Sequence, residues 1–348
     1  MSYNLGYNHY LFRVKTLITI YINLLRPLLF MLSAEHAQKI AERLLRIWPI
    51  WSSSRSFFEF KRPSLRTHWS DMYLENPIGL AAGFDKNCRL LTSLECLGFG
   101  YLIAGTVTLK PGQGNLKPRM FRDKSAGSLI NAMGFPSNGL DEAHYELLRT
   151  GKKIGKTPIL VSIAGTYIED IITCYKKLGP LVSSVEINIS SPNTEGLRIF
   201  HQPETLRDLL SSVNDHKVNP IHVKLPPYRS DDLILKNQII SLSRVCSDSD
   251  VDGLTISNTM PISDSRLGIG KGGLSGRPVY SNMIDMVKDI RIAVGENIEI
   301  NACGGIFTGE HALEAMRAGA NTIQLYTGLV YRGPAIVKDI KSYIAQFG

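Results

Sequence analysis

Eight apolar, β-branched runs recur from residue 77 onward: 77–84, 101–108, 158–165, 185–191, 220–225, 253–259, 298–306 and 322–329. Most are separated by segments with helical patterning, such as DLILKNQIISLSRVC and TGEHALEAMRAG. Runs apolar on both faces that alternate with helices form parallel sheets, because crossover helices cover both faces. Eight such units predict a closed (β/α)8 barrel, a fold of about 250 residues with its chemistry at the C-terminal ends of the strands. Between residues 65 and 75, Trp69-Ser70-Asp71-Met72 sits between short apolar stretches and predicts a hairpin plugging the barrel bottom.

The remainder of the 348 residues is an N-terminal appendage, giving an expected division into a helical segment, 1–60, and a barrel domain, 61–348. Residues 1–70 hold ten Lys/Arg and three Glu, so +7 of the net +8 lies there. A basic end suits nucleic acid or an anionic membrane surface. It is also apolar: LFRVKTLITIYINLLRPLLFML, residues 11–32, is broken by Arg13, Lys15 and Arg26, so it falls short of the ~20 uninterrupted apolar residues of a clean span. Pro27 marks a new helix start, Ser33 a cap for the next helix, and Trp48 and Trp51 suit a membrane interface. The five cysteines are odd in number and form no C-x-x-C, which disfavours a disulfide framework or a metal cluster.

EINISSPNTEG, residues 186–196, alternates as a strand and then breaks into polar residues. Asn188, Lys224 and Lys86 lie on or just past apolar strands, where a packed core would demand a partner for each. They therefore read as ligand-facing. His222 reads as a packed core histidine, and Thr308 and Asp231 as helix caps. Gly304-Gly305 and Tyr326-Thr327-Gly328 follow the seventh and eighth strands, where barrels bind phosphate. Gly268 to Gly273 matches G-x-G-x-x-G but lies in what reads as a polar loop, without the strand–turn–helix setting of a dinucleotide site. Carboxylate pairs suited to metal or glycosidic chemistry are lacking, and an Asn/Ser/Thr/Lys mouth fits a planar polar substrate and an anionic cofactor.

From about residue 60 to 345 the chain resembles the dihydroorotate dehydrogenases, through NPIGLAAGFDKN, GFGYLIAGTVTLKPGQGNLKPRMFR, LINAMGFPSNGL, EINISSPNTEGL, HVKL, ISNT, GGLSGRP and QLYTGLVYRGP in family order and spacing. The resemblance implies a (β/α)8 flavin enzyme with FMN that oxidises dihydroorotate to orotate in pyrimidine synthesis. Ser191 stands where the soluble class has cysteine, as in the membrane-associated, quinone-using class. The alternative is a soluble acceptor, fumarate or NAD. By the same resemblance Ser191 is the base on C5, hydride leaves C6 for N5 of FMN, and Thr194 with a water near Phe135 relays the proton. Lys86, Asn131, Ala132, Met133, Gly134, Phe135, Asn188, Asn193, Asn258 and Thr259 are implied to hold the substrate. Ala82, Gly83, Thr106, Ser162, Asn188, Lys224, Ser257, Gly276, Gly305, Tyr326 and Thr327 are implied to hold FMN. His36, Arg119 and Tyr326 match quinone-tunnel positions. Ser162 and Pro136 depart from the asparagines usual in the quinone class. The resemblance assigns the basic end to an anionic membrane surface rather than nucleic acid. It implies a peripheral protein, monomer or homodimer, on the cytoplasmic side of the cell membrane, or at the mitochondrial inner membrane in a eukaryote.

Overall fold

The computed structural model describes residues 14–151 and 153–348; the first thirteen residues of the expected N-terminal segment lie outside it. Three helices come first: α1, Val14–Met31; α2, Ala34–Leu45; and α3, Trp48–Phe58. Pro27 does not begin a new helix. The helix runs through it because Tyr21–Leu25 is a π-helical turn in which the Arg26 N–H reaches back to Tyr21 O. Such widening displaces the carbonyls that a proline ring would otherwise strike. Ser33 does cap α2, its Oγ accepting from the His36 N–H at 3.3 Å.

A hairpin follows, β1 (Thr67–Trp69) and β2 (Met72–Leu74), paired antiparallel. The next strands are β3 (Ile78–Asp85), β4 (Tyr101–Val107), β5 (Met120–Asp123), β6 (Ser128–Asn131), β7 (Ile159–Ile163) and β8 (Ser184–Asn188). The last are β9 (Ile221–Lys224), β10 (Gly253–Ile256), β11 (Met260–Ser263), β12 (Lys271–Gly276), β13 (Glu299–Cys303) and β14 (Thr322–Leu325). Eight of them, all in the predicted runs, close a parallel barrel in the order β10-β13-β14-β3-β4-β7-β8-β9. Their side chains are almost all buried, as a sheet enclosed by helices requires.

The hairpin seals the bottom. Trp69 is wholly buried, stacked on His222 with ring centroids 4.2 Å apart. His222 is a core residue as expected: Nδ1 meets Ser184 Oγ at 2.7 Å and Nε2 meets Ser70 Oγ at 3.0 Å. Glycine at 79 lets the Tyr101 ring cross the floor, since a Cβ there would stand 2.1 Å from its Cζ. Burial pushes the His222 pKa down to about 3. An unfolded chain would take up this proton near pH 6.5, so folding is favoured above that value and loses stability as pH falls from about 6.5 toward 3. We expect His222→Gln to flatten the decline of the urea midpoint between pH 7 and 4; an unaltered slope would assign the acid sensitivity elsewhere.

A second sheet, β11-β12-β6-β5, is wholly antiparallel. The supposed polar loop at the glycine run therefore ends as strand β12. Its glycines serve close approach: a Cβ on Gly273 would lie 1.9 Å from Thr259 Oγ1, and one on Gly272 2.6 Å from Asn131 O.

The N-terminal helices pack on the barrel. Tyr21 Oη donates to Val330 O (2.7 Å), Arg26 to Tyr331 O (3.1 Å) and Lys338 Nζ to Phe57 O (2.7 Å). The helices leave Leu24, Met31, Ile50 and Phe57 more than half exposed outside the contact with the barrel.

Candidate active site

The mouth cavity lies where β3, β4, β8, β9, β10 and β14 end, under β6 and β12. It is lined by Lys86, Asn131, Met133, Gly134, Phe135, Asn188, Ser191, Asn193, Asn258 and Thr259, and also by Ala82, Gly83, Thr106, Lys224, Ser257, Gly276, Gly305, Tyr326 and Thr327. Strand β8 ends at Asn188, so the serines and proline that follow stand at the rim rather than in the wall.

Asn188 is locked by its neighbours. Its Nδ2 donates to Thr106 Oγ1 at 3.1 Å, and Thr106 meets Ser162 Oγ at 3.0 Å. Ser190 Oγ donates to Asn188 Oδ1 at 2.7 Å and accepts from Asn258 Nδ2 at 2.9 Å. Asn258 Oδ1 in turn accepts from the Thr259 N–H at 2.7 Å. This chain of bonds ties β4, β7, β8 and β10 together. Ser190 is its hub, and sequence reasoning gave Ser190 no role; its only sequence signal was a second serine beside Ser191.

Lys86 follows the last residue of β3. Its Nζ is shielded and has no hydrogen-bond partner among the described residues. Burial pushes its pKa below the usual lysine value, opposed by the charge of Glu42. A buried ammonium without a counter-ion is costly, and an anionic ligand would supply the partner. Ser191 lines the cavity, and its Oγ accepts from the Asn193 N–H at 3.4 Å. Asn193 Nδ2 donates to Asn131 O at 3.3 Å, pinning the loop after β8 to β6 of the second sheet. Among the described residues no carboxylate or histidine lines the cavity. The Cys303 thiol does, but burial raises its pKa and keeps it protonated.

The glycine turns form the remaining wall. Gly276 and Gly305 have φ of 94° and 69°. A Cβ on the first would stand 2.4 Å from Gly127 O, and on the second 2.6 Å from Tyr280 Cβ. Ser275 Oγ meets Thr327 Oγ1 at 2.9 Å beside them. Bare backbone facing a cavity at this point suits an anion such as a phosphate. Gln324 on β14 also lines the cavity, 2% exposed, and was not singled out from sequence.

Five expected residues stand outside this lining. Ala132 is buried beneath it, and Ser162 acts through Thr106. Thr194 Oγ1 is buried and has no partner among the described residues, so no bond to Ser191 forms a relay here. His36 is exposed, its Nδ1 spent on Ser33 Oγ at 2.8 Å. Arg119 is held by Glu35 (3.1 Å) and Gln113 O (2.6 Å). Burial pushes the Glu35 pKa up, but the Arg119 guanidinium outweighs it and holds the carboxyl below its usual value.

A second cavity, about 410 Å³ and largely apolar, lies between the helices and the barrel. It is walled by Tyr21, Leu25, Leu28 and Phe30 of α1, by Ala37, Gln38, Ala41 and Glu42 of α2, and by Phe84, Leu329 and Val330 of the barrel. Tyr326 and Leu129 line both cavities and form the wall between them. His36 and Arg119 line neither; Gln38 occupies the inward position that sequence matching gave to His36.

The family model for dihydroorotate dehydrogenase matches residues 64–347. The chain is 36% identical to a dihydroorotate dehydrogenase (quinone) of Roseiflexus, over 93% of each protein. It is 37% identical to that of Coxiella burnetii, over 92% of this chain and 95% of the relative. A crystal structure of the Eimeria tenella dihydroorotate dehydrogenase in complex with ferulenol superimposes with a TM-score of 0.80 at 27% identity, covering 90% of this chain and 91% of the other.

Proposed function

The chain belongs to the dihydroorotate dehydrogenase family, and from that premise we propose that it oxidises dihydroorotate to orotate and passes the electrons to a quinone. The quinone in its relatives' names favours this acceptor over fumarate or NAD. The observation that carries the reading is Lys86: a shielded ammonium without a hydrogen-bond partner, lining a cavity of amides and hydroxyls that holds no carboxylate or histidine among the described residues.

The family uses a flavin, and FMN is the form we propose here. The site fits it through the bare turns at Gly276 and Gly305, with Thr327 beside them, and through Ala82, Gly83, Thr106, Lys224 and Ser257 on the opposite wall. When bound, FMN supplies the acceptor for the hydride lost from substrate C6.

The protein's own groups do the rest. Lys86 opposes the substrate carboxylate, while the amides of Asn131, Asn193 and Asn258 match the ring amides. Ser191 Oγ takes the proton from C5. A hydroxyl is a weak base, so the developing enolate charge has to be met by fixed donors. The network from Thr106 to Asn258 holds Asn188 and Asn258 in place before substrate arrives, which removes reorganisation from the barrier. Thr194 would receive the proton through a water when the loop at 190–196 closes. Lys224 places a cation against charge accumulating on the opposite wall.

The apolar cavity behind Tyr326 is the proposed quinone site. Gln38, Glu42 and Tyr326 are its polar groups toward the barrel. The exposed Leu, Met, Ile and Phe of α1–α3, with Lys15, Arg26, Arg43 and Arg46, form a surface suited to anionic lipid rather than nucleic acid. Residues 1–60 are then the membrane-facing, quinone-admitting segment and 61–348 the catalytic barrel, placed on the cytoplasmic face of the membrane.

The test is anaerobic. The yellow band of the purified protein should bleach with dihydroorotate and return when a ubiquinone or menaquinone analogue is added. Recovery with fumarate or NAD alone would overturn the acceptor; no bleaching would overturn the substrate.

A further inference from the structure

We propose that the Glu42 carboxyl is the proton donor to quinone in the apolar cavity, an inference that rests on this cavity being the quinone site. Reduction of a quinone to the hydroquinone takes up two electrons and two protons. The electrons are the pair of the C6–H bond of dihydroorotate, and one proton travels with them as the hydride equivalent lost from C6, while the C5–H pair becomes the C5=C6 π bond. The C5 proton passes to solvent. The remaining proton comes from Glu42: its O–H bond breaks as an O–H bond forms on a quinone oxygen, and solvent then reprotonates the carboxylate.

Among the described polar groups of the cavity, Tyr21 Oη is spent on Val330 O (2.7 Å), Trp51 Nε1 on Leu44 O (2.9 Å) and Tyr326 Oη on Gly83 O (3.5 Å). Arg122 is spent on Leu29 O (3.1 Å) and Leu32 O. The Gln38–Glu42 pair remains, one turn apart on α2, with Gln38 Nε2 donating to Glu42 Oε1 at 2.9 Å. Glu42 is the only carboxylate lining the cavity among the described residues. It is half-buried and lines the cavity. It lines the same cavity as Tyr326, which also forms the wall shared with the mouth. Quinone binding would cover the carboxyl with apolar surface, which favours its protonated form.

The experiment is stopped-flow on detergent-solubilised holoenzyme, with flavin reduction and its reoxidation by a ubiquinone analogue followed separately from pH 5 to 9, and analogue affinity measured calorimetrically on the oxidised protein. The titratable and charged groups around Glu42 are Asp85 and Lys86 after β3, Arg122 of β5, Tyr326 after β14 and Tyr21 of α1, and all are retained in the variants; burial raises both tyrosines, so neither ionises between pH 5 and 9. In the wild type, reoxidation should slow as pH rises and the donor ionises. In Glu42→Gln it should fall by about 100-fold, the low end for a positioned general acid, with the pH slope lost. Glu42→Asp should restore the slope. Ala41→Trp, which fills the cavity, separates the two readings. Normal reoxidation in Glu42→Gln with slow reoxidation in Ala41→Trp would overturn the donor and keep the site; normal reoxidation in both would overturn the site as well. Loss of analogue affinity in Glu42→Gln would make Glu42 a binding group and overturn proton donation.

Discussion

Ser191→Ala should keep its yellow flavin and bind dihydroorotate, yet reduce the flavin roughly 10²–10⁴-fold more slowly, the range that a positioned general base contributes. The reason is the composition of the mouth. Among the described residues the lining has no carboxylate or histidine, and Cys303 is held protonated by burial. No neighbour can take over the C5 proton. The fold should tolerate the change, because the serine hydroxyl accepts only a 3.4 Å contact from the Asn193 N–H. Ser191→Cys should retain reduction and shift its pH dependence, since a thiol ionises near pH 8.5. Rapid-mixing measurement of flavin bleaching decides the matter. Near-normal reduction in Ser191→Ala would remove Ser191 from the base role.

Deleting residues 1–32 should separate the two half-reactions. Tyr21, Leu25, Leu28, Leu29 and Phe30 wall the apolar cavity, and no residue before 81 lines the mouth cavity among those described. Flavin reduction should therefore persist. Turnover with a long-chain quinone should fall roughly tenfold or more, because losing tail contact equivalent to two methylenes, at ~0.8 kcal/mol each, exceeds the ~1.4 kcal/mol of a tenfold change. A short-tailed analogue should lose less. The deletion also removes the exposed apolar side chains Leu24 and Met31, so membrane association should weaken with it. Equal turnover of long- and short-chain quinones by both proteins would disprove the role of α1.

Much of this was legible in the chain. A buried parallel strand announces itself within six or seven residues, so all eight barrel strands could be placed, and with them the mouth residues that follow each one. The hairpin under the barrel and the core role of His222 were legible for the same reason: Trp69 and His222 sit in apolar surroundings in their own segments. The Ser33 cap is likewise a local event between residues three apart.

What sequence could not decide depends on partners far along the chain. Strand β12 is short and glycine-rich and looks like a loop, until Gly273 pairs with Asn131 on β6. His36 and Gln38 differ by two residues, about 200° around a helix, so which one faces the second cavity depends on how α2 rolls against the barrel. That roll is fixed by Glu35 gripping Arg119, the same contact that turns Arg119 away from the cavity. Strand alternation and capping are written in neighbouring residues, whereas a helix's rotation about its axis is set only by packing against segments distant in sequence. The sequence by itself therefore determined the barrel, its chemical mouth and Ser191; the tertiary structure alone decided that Gln38 and Glu42, and not His36 and Arg119, meet the second cavity.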